Sequence, residues 1–326
     1  MSRLDEIGEF DLIDRIAKVT PGSANVIEGI GDDCAVVRVG ERVLLLSCDL
    51  SVEDVHFRRR YASAEDIGWK AAASAVSDIA AMGGRPLFLL IALACPRLTA
   101  VDFLEGIYKG IQDVAQRFQI AVVGGDSTRL HDHVALDVTV VGEPVSNRWL
   151  LRSGAKSGDL LAVTGPLGLS SAGLRALERN DTVPIALANA HLRPLPRIAE
   201  GQWLCERPGV HAMMDISDGL LQDAAHIAKR SQVGVDIKRA LQTCTSELRS
   251  YCDAQGLSCL DFCLAGGEDY ELLLAIGPEE VLETYTAFAA TFGRDLRTVG
   301  VCTDAFTGLR LDGCEPLVKG FDHFRS

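Results

Sequence analysis

The sequence lacks the features that mark several large classes of protein. Its longest apolar run, LFLLIALAC at 87–95, is far shorter than the roughly 20 residues that a membrane-spanning helix needs. Lys and Arg number 32 against 45 Asp and Glu, a net charge of −13, so the basic surface of a nucleic-acid-binding protein is not expected. The opening segment MSRLDEIGEFDLIDRI is charged and amphipathic, which argues against a secretory signal. We therefore predict a cytoplasmic protein that binds neither nucleic acid nor membrane.

The ten cysteines form no recognisable ligand or disulfide pattern. They are scattered, with no CxxC pair and no histidine-rich segment beside them. Cys259 and Cys263 come closest to a spaced pair. We therefore expect reduced thiols that serve as small apolar side chains.

Familiar catalytic motifs are missing as well. The chain contains no GxxxxGK[ST], no GxGxxG after a strand, no HRD with DFG, no HExxH and no GxSxG. These absences remove the main support for a P-loop nucleotidase, a protein kinase, a dehydrogenase, a zinc protease and a serine hydrolase. If such an acidic protein binds a polyanion such as a nucleotide, cations must bridge the like charges.

What the sequence does contain is a regular alternation of helix and strand patterns. Ser63 followed by Asp66 is a capping-box pattern that opens an Ala-rich helix ending at Met82. The apolar segment LFLLIAL then predicts a buried strand, and Thr99 with Asp102 opens a second helix. Further strand and helix patterns of the same kind fill the second half of the chain.

A loop-rich segment separates two sets of these patterns. Residues 142–159, GEPVSNRWLLRSGAKSGD, carry Gly, Pro, Ser and Asn in quick succession. At 326 residues the chain is also long for one domain. We predict an α/β (α+β) protein of two domains: 1–145, a mixed sheet with helices, and 146–326, a second α/β domain.

The positions of the acidic residues are the most informative feature. They lie at the ends of apolar strands and beside glycines, where carboxylates are costly to desolvate unless a cation or hydrogen bonds compensate. Each alone would serve as a helix or turn cap, but together they indicate convergence on metal. An oxygen-rich, histidine-poor set favours Mg²⁺ over Zn²⁺. The acids in question are Asp32, Asp33, Asp49, Asp78, Asp126, Asp215, Asp218, Glu268 and Asp269.

Residues near these acids are candidates for contacts with phosphate or ligand. Gly124 and Gly125 carry no Cβ, so their N–H groups are open to phosphate oxygens. Arg129 and Arg152 either clamp a phosphate or are ordinary surface residues. His56, in VEDVHF, is either a ligand contact or a plain loop residue.

Segments spread in order over nearly the whole chain resemble the thiamine-monophosphate kinases, a family within the aminoimidazole-ribonucleotide synthetase superfamily. They are GEFDLI, GIGDDCA, SCD with VHF, SDIAAMGG, GGDSTR, RSGAKSGD, LRPLPRI, DISDGL, GGEDYEL and KGFDHF. A GDD or GGD alone fits the entire superfamily. RSGAK, GGEDYEL and KGFDHF are typical of this family.

The resemblance implies a reaction and an assembly. The fold would be the two-domain synthetase-like fold, and the reaction an ATP-dependent phosphoryl transfer to thiamine monophosphate that gives thiamine diphosphate and ADP. Several Mg²⁺ ions take part, and no covalent phosphoenzyme forms. The family is a homodimer whose N-terminal domains join sheets, with the ATP site in a cleft involving both domains.

The resemblance also implies the site residues, at the positions where the motifs match. The metals would be surrounded by Asp33, Ser47, Cys48, Asp49, Asp78, Asp126, Asp215 and Asp218. ATP would meet Tyr108, Gly125, Asp126, Arg152 and Ser217. Thiamine monophosphate would meet His56, Glu268 and Phe321. No catalytic dyad is implied, because a phosphate monoester is already anionic and nucleophilic.

Three positions carry further expectations. Asp33, not Asp32, is the implied ligand, and we expect Asp32 to order the turn through its own hydrogen bonds. Cys48 stands where the family usually has Thr, which is harmless if only its backbone carbonyl binds metal and weakens the site if a hydroxyl is needed. Phe321 replaces the commoner Tyr and keeps an aromatic face.

Other functions remain open at this point. A selenophosphate synthetase would carry a reactive Cys in a glycine-rich N-terminal loop, and no Cys precedes Cys34. A hydrogenase-maturation dehydratase would end in a reactive Cys, and this chain ends HFRS. Aminoimidazole-ribonucleotide synthetase is a weaker relative. A non-catalytic nucleotide or cation sensor would lack one or more of the acidic metal ligands. A divalent-metal phosphatase would need a site that activates water in place of an acceptor pocket.

Overall fold

The computed structural model describes residues 3–182, 184–316 and 324, and the first half of the chain is built on one six-stranded sheet. Its strands are β1 (Val26–Glu28), β2 (Ala35–Val39), β3 (Arg42–Val52), β4 (Gly84–Cys95), β5 (Ala121–Arg129) and β6 (Ala135–Pro144). Their order is β1-β2-β3-β6-β4-β5, and only β4 and β5 run parallel. The helices are α1 (Leu4–Val19), α2 (Ala64–Ala81) and α3 (Val101–Phe118).

The second half carries another six-stranded sheet. Its strands are β7 (Leu160–Val163), β8 (Val210–Asp215), β9 (Gly234–Ile237), β10 (Leu272–Ile276), β11 (Arg297–Thr303) and β12 (Gly308–Leu311), in the order β12-β9-β11-β7-β10-β8. Only β9 and β12 run parallel. The helices are α4 (Leu169–Arg179), α5 (Ile185–Leu192), α6 (Ile198–Cys205), α7 (Leu220–Ser231), α8 (Ser246–Gln255), α9 (Cys259–Ala265) and α10 (Val281–Phe292), with a 3-10 helix at Ala240–Thr243.

Mixed sheets combined with helices in both halves confirm the predicted fold class. The first sheet ends at Pro144 and the second begins at Leu160, but one hydrophobic core contains residues of both halves, among them Ile79 and Leu204. The domain boundary at 145/146 therefore stays a prediction. Within the described residues, no helix combines the length and apolar character needed to cross a membrane.

Helix α2 lies between the two halves and is almost completely buried. It begins as the capping box predicts: the Ser63 hydroxyl accepts the Asp66 N–H, and the Asp66 carboxylate accepts the Ser63 N–H. Fourteen of its 18 residues are buried. Helix α3 also forms, but the predicted Thr99 cap is wrong by one residue, because Ala100 precedes the first turn and offers no capping side chain.

Strand β3 presents alternate residues to the two faces of the first sheet. The Ser47 hydroxyl donates to Asp78 of α2, so Ser47 and Asp49 face the helix. Cys48 and Leu50 therefore lie on the opposite face, where both are exposed. This face also carries Phe88 and Leu90 of β4, which are 43% and 40% exposed.

Candidate active site

Three aspartates from separate parts of the chain meet where the two halves join. Asp33 precedes β2, Asp78 lies on α2, and Asp215 ends β8. One carboxylate oxygen from each lies within 4.8 Å of the other two. Asp33 and Asp215 are buried. The sequence-predicted convergence of these three acids is therefore present, and both halves contribute to it.

The electrostatics of this trio suit a bound cation. Burial raises the pKa of Asp215 to about 8, with the charge of Asp33 adding to the effect. Burial, then the charges of Asp49, Asp215 and Asp33, raise the pKa of Asp78 well above its usual range. In the described part of the chain, Asp33 Oδ2 is buried without a hydrogen-bond partner. An orphaned buried carboxylate oxygen beside two more carboxylates fits Mg²⁺, which prefers oxygen ligands.

Hydroxyl groups support the trio. Ser47 donates to Asp78, and Ser77 of α2 donates to Asp215 Oδ2 at 2.5 Å. Asp49 lies beside Ser74 of α2, and burial raises its pKa. Sequence reasoning missed Ser77, although its place directly before Asp78 on α2 was the available signal.

Arg152 is engaged by the aspartates. Its Nη2 lies 2.6 Å from Asp33 Oδ1, and its side chain is only 19% exposed. The Arg152 N–H donates to both carboxylate oxygens of Asp32, at 3.1 and 3.2 Å. Asp32 also accepts the N–H of Asp33 at 3.1 Å, as a turn-ordering residue would. Arg152, the predicted ATP contact, thus lies against Asp33, the predicted metal ligand.

Glu268 forms a second polar centre with residues that sequence reasoning missed. Its carboxylate lies 2.6 Å from Lys70 Nζ and 3.3 Å from His191 Nδ1. Burial alone would raise the pKa of Glu268, but Lys70 and His191 hold it well below its ordinary value. The Lys70 ammonium also donates to the backbone carbonyl of His56 at 3.1 Å. Two predicted acceptor-binding residues, Glu268 and His56, are therefore joined through Lys70.

The two centres are adjacent. Tyr270 is buried, and its phenol pKa is raised by burial and then by the charges of Glu268, Asp49 and Asp215. Glu268 and Tyr270 both have positive φ, 62° and 51°, a conformation that costs energy for residues other than glycine. The Glu268 N–H donates to the carbonyl of Ser217 at 2.7 Å, which fixes this loop against the segment after Asp215.

Other predicted residues lie apart from the aspartate trio. Asp126 is exposed on the edge strand β5, where it accepts the N–H of Ser127 at 2.8 Å. A Cβ on Gly125 would lie 1.8 Å from the Ile91 carbonyl oxygen, so packing against β4 by itself requires glycine there. Tyr108 is 37% exposed on α3. The predicted role of Phe321 lies outside the described residues.

Asp218 belongs to a different group. Its carboxylate lies within 4.8 Å of ligand atoms of Asp223 and His226, both on α7. Sequence reasoning missed these two residues. Their signal was a three-residue spacing on one helix face directly after DISDGL.

Comparisons with known proteins identify the family of this chain. The N-terminal domain model of AIR synthase related proteins matches residues 31–143, and the C-terminal domain model matches residues 156–309. The thiamine-monophosphate kinase of Aquifex aeolicus is 36% identical over 99% of this chain and 100% of its own length, and that of Bacillus subtilis is 35% identical over 97% and 99%. The solved structure of AaThiL complexed with AMPPCP and TMP is 35% identical, covers 99% of each chain and has a TM-score of 0.88. The chain belongs to the thiamine-monophosphate kinase family, among the AIR synthase related proteins.

Proposed function

We propose that the protein transfers the γ-phosphoryl group of ATP to thiamine monophosphate, giving thiamine diphosphate and ADP. The observation that carries this proposal is the trio of Asp33, Asp78 and Asp215, assembled from both halves next to the polar centre of Glu268. Membership of the family supports the choice of substrates. AaThiL, at a TM-score of 0.88, was solved with AMPPCP and TMP together.

The residues of the trio would hold Mg²⁺, with Ser47 and Asp49 beside them. When bound, Mg²⁺ neutralises triphosphate charge that a protein of net charge −13 would otherwise repel. The Arg152 guanidinium pairs with Asp33 and can form two parallel hydrogen bonds to one partner. A cation that binds Asp33 would therefore leave Arg152 available to phosphate oxygens. Asp126, Gly125, Ser217, Asp218, Cys48 and Tyr108 keep their predicted metal and ATP roles within this proposal.

The acceptor would lie against the polar centre of Glu268. A carboxylate suits the cationic thiazolium, and Lys70 and His191 keep Glu268 ionised through contacts at 2.6 and 3.3 Å. Phe321 and His56 are the other acceptor contacts that the family resemblance implies, the former through ring stacking. The acceptor phosphate needs no general base, so the chain's task is to bring two phosphates together and exclude water.

The proposal includes a cytoplasmic homodimer. The cysteines among the described residues are all free thiols, which suits a reducing compartment. The outer face of the first sheet carries exposed Leu50, Phe88 and Leu90. A second copy of the chain placed on this face would cover these apolar side chains.

Product analysis tests the proposed reaction. The purified protein with ATP and Mg²⁺ should release ADP only when thiamine monophosphate is present, with one thiamine diphosphate formed per ADP. Asp78→Asn should lower kcat by at least about a hundredfold, because a metal-binding carboxylate is lost. Asp253→Asn, on the exposed side of α8, is the matched control and should behave as wild type. ADP release at the same rate without thiamine monophosphate, with no thiamine diphosphate, would contradict the proposal and indicate a phosphatase.

A further inference from the structure

A group of three metal-ligating side chains lies beside the aspartate trio. Asp218 follows β8 by three residues, and Asp223 and His226 lie three residues apart on α7, on one face of the helix. One ligand atom from each lies within 4.8 Å of the others. Two carboxylates and one imidazole are thus already collected in a space that suits one ion.

Asp223 supplies an independent sign of a missing ligand. The residue is only 1% exposed. Its Oδ2 accepts the N–H of Gly219 at 3.1 Å, whereas its Oδ1 is buried with no hydrogen-bond partner in the described part of the chain. A buried carboxylate oxygen without a partner destabilises the fold, and a bound cation would satisfy it.

His226 supplies the nitrogen donor of this group. The lone pair of an imidazole nitrogen binds divalent transition ions. Phe10 of α1 contacts the ring edge-on at a centroid distance of 4.6 Å and restrains its orientation.

We infer that Asp218, Asp223 and His226 form a distinct divalent-cation site, whose mixed oxygen and nitrogen donors select Mn²⁺ over Mg²⁺. The aspartate trio offers only oxygen, the set that Mg²⁺ prefers, whereas an imidazole donor strengthens binding of transition ions. Asp215 and Asp218 are three residues apart, so the two sites share a loop. The site needs no nucleotide to bind its ion. Only a role of this ion during turnover rests on the proposed function.

Nitrogen coupling to bound Mn²⁺ tests this site directly. Mn²⁺ is added at one equivalent to the nucleotide-free protein, and the 14N modulation is recorded by pulsed electron paramagnetic resonance. Wild type should show coupling to a directly bound imidazole nitrogen. His226→Gln should lose that coupling, and Asp223→Asn should raise the Mn²⁺ dissociation constant at least tenfold. His211→Gln is the matched control, since His211 contacts Asp159 at 2.9 Å elsewhere in the second half.

The outcomes separate this inference from the proposed function. Absence of nitrogen coupling in wild type, or its persistence in His226→Gln, would overturn the site whether or not the protein is a kinase. Circular dichroism and thermal melting establish that each variant is folded. If His226→Gln does not fold, Asp223→Asn decides: an unchanged Mn²⁺ dissociation constant overturns the inference.

Discussion

Ser47, Cys48 and Asp49 are consecutive on β3, so they cannot serve one site with all three side chains. Ser47 and Asp49 face α2 and the aspartate trio, whereas Cys48 is exposed on the other face of the sheet. Only the backbone carbonyl of Cys48 is available to a metal on the α2 side. Cys48, where the family resemblance implies Thr, therefore leaves the side chains of the aspartate trio unaffected.

This alternation gives a prediction at the scale of single residues. Cys48→Ala should keep the wild-type Mg²⁺ concentration for half-maximal activity, because the thiol lies away from the aspartates. Ser47→Ala removes the hydroxyl that donates to Asp78, a charge-assisted bond of about 1.5–3 kcal/mol, and should raise that concentration about tenfold or more. Mg²⁺ titrations at saturating ATP measure both. A larger effect for Cys48→Ala than for Ser47→Ala would contradict the assignment of faces.

Sequence alone could identify only those site residues that stand in a recognisable local motif. Asp33, Asp78 and Asp215 were identifiable because each stands beside glycine or an apolar run in a matching segment. Lys70 and His191 were not, because a lysine and a histidine 121 residues apart gain meaning only once α2 and α5 bring them to Glu268. Contacts of this kind depend on tertiary packing, which no local pattern records.

Helix α2 positions Asp78, and its packing against α3 depends on glycine. A Cβ at Gly68 would lie 1.8 Å from the Ile107 carbonyl oxygen, and one at Gly110 would lie 1.9 Å from that of Glu65. Backbone atoms cannot move aside as a side-chain tip can. The two helices therefore approach more closely than any residue with a side chain would allow.

Gly68→Ala should destabilise the protein, contrary to helix propensity. Propensity alone favours Ala by about 1 kcal/mol inside a helix, but the clash should cost about 3 kcal/mol or more and push α2 and α3 apart. Urea unfolding measures the change in free energy. Gly22→Ala is the matched control, because a Cβ there meets nothing within 4 Å. Equal or greater stability of Gly68→Ala would show that α3 can shift freely.

Prediction succeeded best for elements with strong local signals. The capping box of Ser63 and Asp66 defined the start of α2, and the apolar run at 87–95 defined β4. Helices α5 and α6 were not placed, because neither begins with a capping side chain and each is only eight residues long. Short helices of this kind form through burial against neighbours, which the segment alone does not encode.

Among residues 3–182, 184–316 and 324, helices cover only one side of the first sheet. Helices α2 and α3 pack on the inner face, while the outer face carries Leu50, Phe88 and Leu90 at 40–56% exposure. In register, Leu90 lies opposite Thr139, which lies opposite Cys48, so these side chains form one surface across three strands. Sequence alternation alone did not reveal this, because β4 is apolar at both its inner and outer positions.

The predicted dimer should depend on this outer face. Light scattering should give twice the 35.0 kDa chain mass for the wild type. Leu90→Glu places a charge in the centre of the face, at a cost of about 3 kcal/mol in association, roughly a hundredfold in the dissociation constant, and should give monomer at low micromolar concentration. Leu282→Glu, at an 81% exposed position on α10, is the matched control and should stay dimeric. A monomeric wild type, or a Leu90→Glu variant as dimeric as its control, would mean that the two chains do not associate through this sheet.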